Sequence, residues 1–275
     1  MRAQSWSQAT IDTRVGLVVR LSQLTSVAPE ALGADEVMRF LSTGAFGHSS
    51  RRTYHANLTS WFAWLRSTGV RDDNPMEELR RPRAKRTVRT IPTTAQVRQL
   101  LESPRVYQRT QWMMRLAAYQ GLRASEIARF HDDHVDEAAR QVVVLGKGGR
   151  VDYLPLHPVV AGIVADRQAL GLYGYWFPQR GSNREDAGHV LGSSVTQIVA
   201  AAMQRAGVPG SCHSLRHWHA TELLRQGVDL RVIQQLMRHA SLATTEIYLH
   251  VDDTERRDAL LRLPDMTSRP AGDDA

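Results

Sequence analysis

Ten consecutive residues, 80–89, read RRPRAKRTVR: six basic side chains, one proline and no acid. Like charges at this density repel one another and favour solvent, so the run reads as a solvated linker that divides the chain. Residues 1–82 then form one domain, 83–92 the linker, 93–264 a larger domain and 265–275 a polar tail. A chain of 275 residues is long for one compact domain and comfortable for two.

The two sides differ in pattern. Before the run the periodicity is helical throughout. Tyr54, Leu58, Trp61, Phe62 and Leu65 recur at helical spacing within residues 50–67, and Gly69 ends the stretch. Val15, Leu17, Val18, Leu21 and Leu24 predict an earlier amphipathic helix, and Val37, Met38 and Leu41 a short one. Asn74-Pro75 is a turn signal before a last small helix. After the run, Thr93 with Gln96 three residues on predicts a capped helix through Leu101. Helices over 106–119 and 124–129 follow. Residues 142–145 and 151–156 flank Gly146-Lys147-Gly148-Gly149 and predict a β-hairpin. The remainder reads as helical, with breaks at 171–182 and near Pro209. The fold class expected is mainly α with a small β-hairpin or sheet.

Charge narrows the partner. The net charge is +7 and the pI about 10.0, which favours a polyanion. Of the 35 basic residues only Lys85 and Lys147 are lysine, so each lysine in this arginine-rich chain is informative. No apolar stretch reaches the length of a membrane span, and no secretory signal opens the sequence. A single cysteine, Cys212, cannot form an internal disulfide and suits a reducing cytoplasm, the expected location.

Chemistry concentrates in residues 212–251, CHSLRHWHATELLRQGVDLRVIQQLMRHASLATTEIYLHV. His213, Arg216, His217, His219, Arg238, His239 and His250 surround Tyr248 in this stretch. Earlier, GLRASE places Arg123 at a helix start, and Lys147 sits at the glycine-rich hairpin tip. Phosphodiester exchange needs these groups. Its transition state gathers negative charge on the non-bridging oxygens, which forked guanidinium donors clamp well. A phenol with a pKa near 10 needs a proton acceptor or a positive field before it attacks. A histidine can take that proton, and a lysine or histidine can supply one to the departing alkoxide. The sequence carries no P-loop and no carboxylate cluster for paired metals, so the expected chemistry is metal-free and ATP-free, with no cofactor.

The series GLRASEI, GKGGR, HSLRH and RHASLATTEIYLH resembles the active-site signature of the tyrosine recombinase, or phage integrase, family over the C-terminal two-thirds of the chain. The resemblance implies a helical, SAM-like core-binding domain followed by a mixed α/β catalytic domain, together forming a clamp on duplex DNA. It implies that Arg123 and Arg216 bind the scissile phosphate. Lys147 would protonate the leaving 5′ oxygen, and His213 would accept or assist transfer of the tyrosine proton. His239 would hydrogen-bond a phosphate oxygen, and Tyr248 would form a 3′-phosphotyrosine. Glu126 resembles the family's acidic residue behind the first arginine. The pattern departs at Arg238, where glycine is usual, and at Trp218-His219. Partners implied are double-stranded DNA at specific core sites, three further copies in a homotetramer working through a Holliday junction, and an accessory directionality factor; no membrane is implied.

Other readings of the same residues stand beside these. Tyr248 taken alone fits a half-buried helix tyrosine. His213, His217 and His219 have spacing compatible with a metal, although a third ligand is not evident. Cys212 reads as a buried structural cysteine and His217 as a packing residue. His131 and His134, beside Asp132 and Asp133, read as a solvated turn. Arg51, Arg52, Arg80, Arg81, Arg83, Lys85 and Arg86 fit either phosphate contacts or plain solvated surface. Functionally, a phage or mobile-element integrase leads. A Xer-like recombinase resolving chromosome dimers shares its size and chemistry, and neither needs room for an arm-site domain ahead of residue 1. A type IB topoisomerase shares the chemistry alone, and a non-catalytic DNA-binding regulator would share only the fold.

Overall fold

The computed structural model describes residues 8–44, 46–83, 91–146, 149–179 and 188–238. The chain divides into two compact units, Met1–Val88 and Arg89–Ala275.

Among the described residues, the first unit contains α1 (Gln8–Thr25), α2 (Ala34–Ser42), α3 (His48–Ser67) and a 3₁₀ turn at Pro75–Glu77. Leu17, Val18 and Leu21 of α1 meet Val37 and Phe40 of α2, Leu58, Phe62 and Leu65 of α3, and Met76. The α3 stripe follows the sequence spacing, with Tyr54 and Trp61 packed at the edge of this core. In α2 the inward face differs from the expected one. Phe40 is buried with Val37, whereas Met38 is 51% exposed, because residues three apart share a helix face and neighbours do not. Val15 and Leu24 also face outward, so the buried stripe of α1 is narrower than its apolar pattern. The Asn74 side chain accepts a bond from Met76 N–H at 3.1 Å, with Pro75 pre-set for the turn.

The second unit runs α4 (Thr94–Glu102), α5 (Gln108–Tyr119), α6 (Ala124–Ala128), β1 (Val135–Asp136), β2 (Gln141–Leu145), β3 (Val151–Pro155), α7 (Pro158–Ala169), α8 (Gly192–Arg205), α9 (Cys212–Arg225) and α10 (Leu230–Met237). Thr93 caps α4 reciprocally: its Oγ1 accepts from Gln96 N–H at 3.2 Å, and Gln96 Oε1 accepts from Thr93 N–H at 2.9 Å. Helix α5 lies at the centre, touching α4, α6, α7, α8 and α9. Its Trp112, Met113, Leu116 and Ala117 join Val195 and Val199 of α8 and Leu215 and Trp218 of α9 in one core. Trp218 also donates to Thr94 Oγ1 at 3.2 Å, tying α9 to α4.

The three strands form an antiparallel sheet in the order β1-β2-β3. Val142 and Val144 alternate inward on β2, as a half-buried strand requires, and Leu154 of β3 faces the same core. The two-residue strand β1, paired through Val135 and Val142, was too short to show in the sequence. Gly146 N–H donates to Arg150 C=O at 2.7 Å and closes the hairpin beneath its tip.

One expectation is corrected. Residues 131–134 read as a solvated turn, yet Asp132 is an anchor. It accepts from Arg167 at 3.0 and 2.8 Å and from Trp176 Nε1 at 2.6 Å, while buried Arg167 stacks over Trp112 and Trp176. A buried guanidinium needs that carboxylate. Among the described residues no helix is long and apolar enough to cross a membrane.

A buried arginine cluster as candidate active site

Three arginines, from segments far apart in sequence, meet where α5 gives way to α6. Gly121 follows α5 with φ +61°, a left-handed turn that frees its carbonyl from the helix. Arg123 precedes α6 in extended conformation, and Glu126 folds back to accept its N–H at 2.7 Å. The same carboxylate accepts from Arg123 Nη1 at 2.8 Å and from Arg238 Nη2 at 2.6 Å, so it bridges two guanidiniums. Arg216, on α9 and 2% exposed, donates from Nη1 to Gly121 C=O and from Nη2 to Met237 C=O. Arg123 Nη2 reaches the adjacent Arg238 C=O at 3.0 Å. The end of α10 is thereby held by two arginines through successive carbonyls.

Exposure differs within the cluster. The side chains of Glu126 and Arg238 are each 3% exposed, whereas that of Arg123 is 41% exposed. Arg123 is therefore positioned from behind and open in front, the condition for meeting an external anion. Burial pulls the Glu126 carboxyl upward, but the Arg238 charge and the Arg123 hydrogen bonds outweigh it and hold Glu126 below the usual carboxylate range.

His213 is exposed, three residues before Arg216 on α9. Its Nε2 lies 2.8 Å from Nε2 of buried His217, so one imidazole donates and the other accepts. His219 turns away and hydrogen-bonds Ala118 C=O through Nδ1 at 2.8 Å. Among the described residues, no three His, Cys, Asp or Glu side chains are grouped to hold a metal ion. Cys212 is 1% exposed, and burial pushes its thiol up to about 12, which suits a structural cysteine.

Of the residues singled out from sequence, Arg123 and Arg216 come together, and His213 shares a helix with Arg216. Lys147, His239 and Tyr248 lie outside the described residues. The hairpin that carries Lys147 borders a cleft of about 480 Å³ lined by Arg150, Asp152, Arg231 and Arg238. A separate cavity of about 820 Å³, lined by Tyr107, Met113, Ile198 and Arg205 among others, shares no lining residue with the arginine cluster. In the first unit, Arg51 and Arg52 are half-buried on α3, while Arg80, Arg81 and Arg83 are exposed; Lys85 and Arg86 lie outside the described residues. Sequence reading missed the part played by the Arg238 side chain; its only signal was an arginine where the resemblance has glycine.

Residues 92–255 match the sequence profile of the Phage integrase family. The chain belongs to that family. A tyrosine recombinase from Thermosipho africanus is 32% identical over 85% of this chain and 84% of its own. Tyrosine recombinase XerD of Neisseria meningitidis serogroup B is 30% identical over 84% and 82%. The solved integrase of mycobacterium phage Brujita is 40% identical, with a TM-score of 0.51 over 97% of this chain and 90% of its own. As a phage integrase family member, the chain is a site-specific DNA recombinase, and the family match covers every helix and strand of the second unit among the described residues.

A Cβ on Gly121 would lie 3.0 Å from the His219 ring, and the positive φ disfavours any L side chain. Gly121→Ala is expected to lower unfolding free energy by roughly 1–3 kcal/mol, read by urea denaturation. An unchanged midpoint would show that the turn tolerates the methyl group. His219 itself is driven from the usual 6.5 to about 4, first by burial and then by the nearby charges, against the opposing Ala118 bond. A depressed histidine leaves the unfolded chain binding more protons between those values, so stability falls as pH drops from 6.5 towards 4. The wild-type advantage over His219→Gln should shrink by up to about 3 kcal/mol across that window. Parallel stability curves for the two proteins would rule out His219 as the titrating group.

Proposed function

We propose that this recombinase cuts and rejoins duplex DNA at matched core sites through a 3′-phosphotyrosine on Tyr248, as the integrase of a phage or other mobile element. One observation carries the reading. Arg123 and Arg216, separated in sequence, are anchored on the same Met237 carbonyl, with Arg123 open towards solvent.

In the proposed reaction the two guanidiniums hold the non-bridging oxygens of the scissile phosphate, and His239 adds a hydrogen bond. The Tyr248 oxygen attacks phosphorus, its proton passing to His213. The bond from phosphorus to the 5′ oxygen breaks, and Lys147 protonates that leaving oxygen. The phosphodiester survives as a phosphotyrosine, so a 5′ hydroxyl from a partner strand reverses the steps and joins new ends without ATP. Fixed charges serve this chemistry because they need not reorganise as negative charge develops. The paired His213 and His217 rings offer a proton route, since a proton taken at one nitrogen can be shared with the other.

The first unit and the basic run 80–89 would grip the duplex backbone through Arg51, Arg52, Arg80, Arg81, Arg83, Lys85 and Arg86. Four copies would assemble on two sites and pass through a Holliday junction, with a directionality factor biasing the outcome. A cytoplasmic location is part of the same proposal. The XerD relative supports a second reading, resolution of chromosome dimers.

The test uses the full chain and a core-site duplex selected from a random library, nicked so that the cleaved end diffuses away. An SDS-stable, protease-sensitive adduct on the 3′ phosphate is expected. DNA binding without any adduct would instead support a non-catalytic regulator. Recombination between two unlike sites favours the integrase role, and between two copies of one site the Xer role.

A further inference from the structure

The αL residue that ends α10 is an arginine, and its side chain does not leave for solvent. Arg238 has φ 51° and ψ 46°, a conformation glycine takes without strain and L residues seldom adopt. Yet its side chain is only 3% exposed and turns inward to Glu126 at 2.6 Å. A long cation accepts both an unfavourable backbone and desolvation here, so what it meets must compensate.

What it meets is a carboxylate already bonded to Arg123. Glu126 and Arg123 alone would form a neutral pair, and an arginine paired to a buried carboxylate presents less net charge to an anion in front of it. With Arg238 present, two guanidiniums share one carboxylate, and Arg216, held on the Gly121 and Met237 carbonyls, brings the cluster to two net positive charges; without Arg238 one remains. Resting on the recombination reading above, we propose that Arg238 is a positioning residue: by neutralising Glu126 from behind, it leaves Arg123 with an undivided charge for the scissile phosphate. Its backbone supports the same task, because Arg238 C=O accepts from Arg123 Nη2 at 3.0 Å and fixes the direction of that arm. Arg238 Nη1 also bonds Leu236 C=O at 3.1 Å, which steadies the guanidinium itself.

The experiment compares full-length wild type, Arg238→Gly, Arg238→Lys, Glu126→Gln and the Arg238→Gly/Glu126→Gln double variant on the nicked core-site duplex. Single-turnover adduct formation and DNA affinity are both measured, with thermal denaturation in parallel. Arg238→Gly is suited to the test because glycine fits the αL backbone. It is expected to slow adduct formation roughly tenfold or more with DNA affinity close to wild type, and, because it breaks a buried ion pair, to lower the melting temperature, so rates are compared well below both transitions. Arg238→Lys, which keeps the charge, should lie nearer wild type. The double variant decides the mechanism. Neutral glutamine no longer draws on Arg123, so the second change should restore most of the lost rate.

A merely structural Arg238 predicts the opposite, with losses that track melting temperature and deepen in the double variant. That outcome, or wild-type cleavage by Arg238→Gly, overturns the assignment. If Arg238→Gly fails to fold, Arg238→Lys and Arg238→Met, compared with and without Glu126→Gln, carry the same contrast. Failure of the recombination reading shows separately, as a wild-type protein that binds the duplex and forms no adduct.

Discussion

Tyr248→Phe is expected to abolish covalent protein–DNA adducts on a nicked core-site duplex while leaving DNA affinity intact. The substitution removes one oxygen and nothing else. The ring volume and the side chains of Arg123 and Arg216 are unchanged, so any loss belongs to the attacking atom. The chain's single cysteine cannot take its place. Cys212 is sealed in the core with its thiol pushed up to about 12, far from the thiolate form needed to attack. Loss of a covalent nucleophile reduces turnover on the order of 10⁴-fold or more. Gel-resolved, SDS-stable adducts formed equally by both proteins would reject Tyr248 and send the search to the remaining tyrosines.

The second large effect is expected at Arg216. Its two Nη groups serve two carbonyls on different segments, Gly121 and Met237, 95 and 21 residues away. A lysine brings a point charge on a flexible stem and cannot span both acceptors in one plane. Arg216→Lys therefore leaves a buried carbonyl short of a donor and loosens the end of α10 next to residue 239. Unfolding free energy should drop by about 1–3 kcal/mol. Adduct formation should fall roughly 10²–10³-fold, the scale on which a fixed transition-state donor acts. Rates within a factor of a few of wild type, with stability preserved, would mean that charge alone suffices at this position and that the forked geometry is dispensable.

These substitutions probe different links. Tyr248 rests on motif order alone, and its test bears on the chemistry. Arg216 rests on two grounds. The HSLRH motif singled it out, and the fold then supplied a reason for guanidinium over ammonium, in two carbonyls that motif reading gives no means of identifying.

Local order was readable because its causes are local. Helical spacing of Leu58, Phe62 and Leu65, the Thr93–Gln96 cap and the alternation of Val142 and Val144 arise from residues a few positions apart. The family and its recombinase activity followed from motifs in their order along the chain. Other features depended on partners chosen across the fold. Asp132 passed for a solvated turn because Arg167 and Trp176 stand 35 and 44 residues later. Arg238 passed for a mere departure from glycine because Glu126 lies 112 residues earlier. Burial makes an unpaired charge costly, so packing brings each such group to an opposite one. Which one it meets depends on how α6, α9 and α10 stack, and helical periodicity carries no record of that.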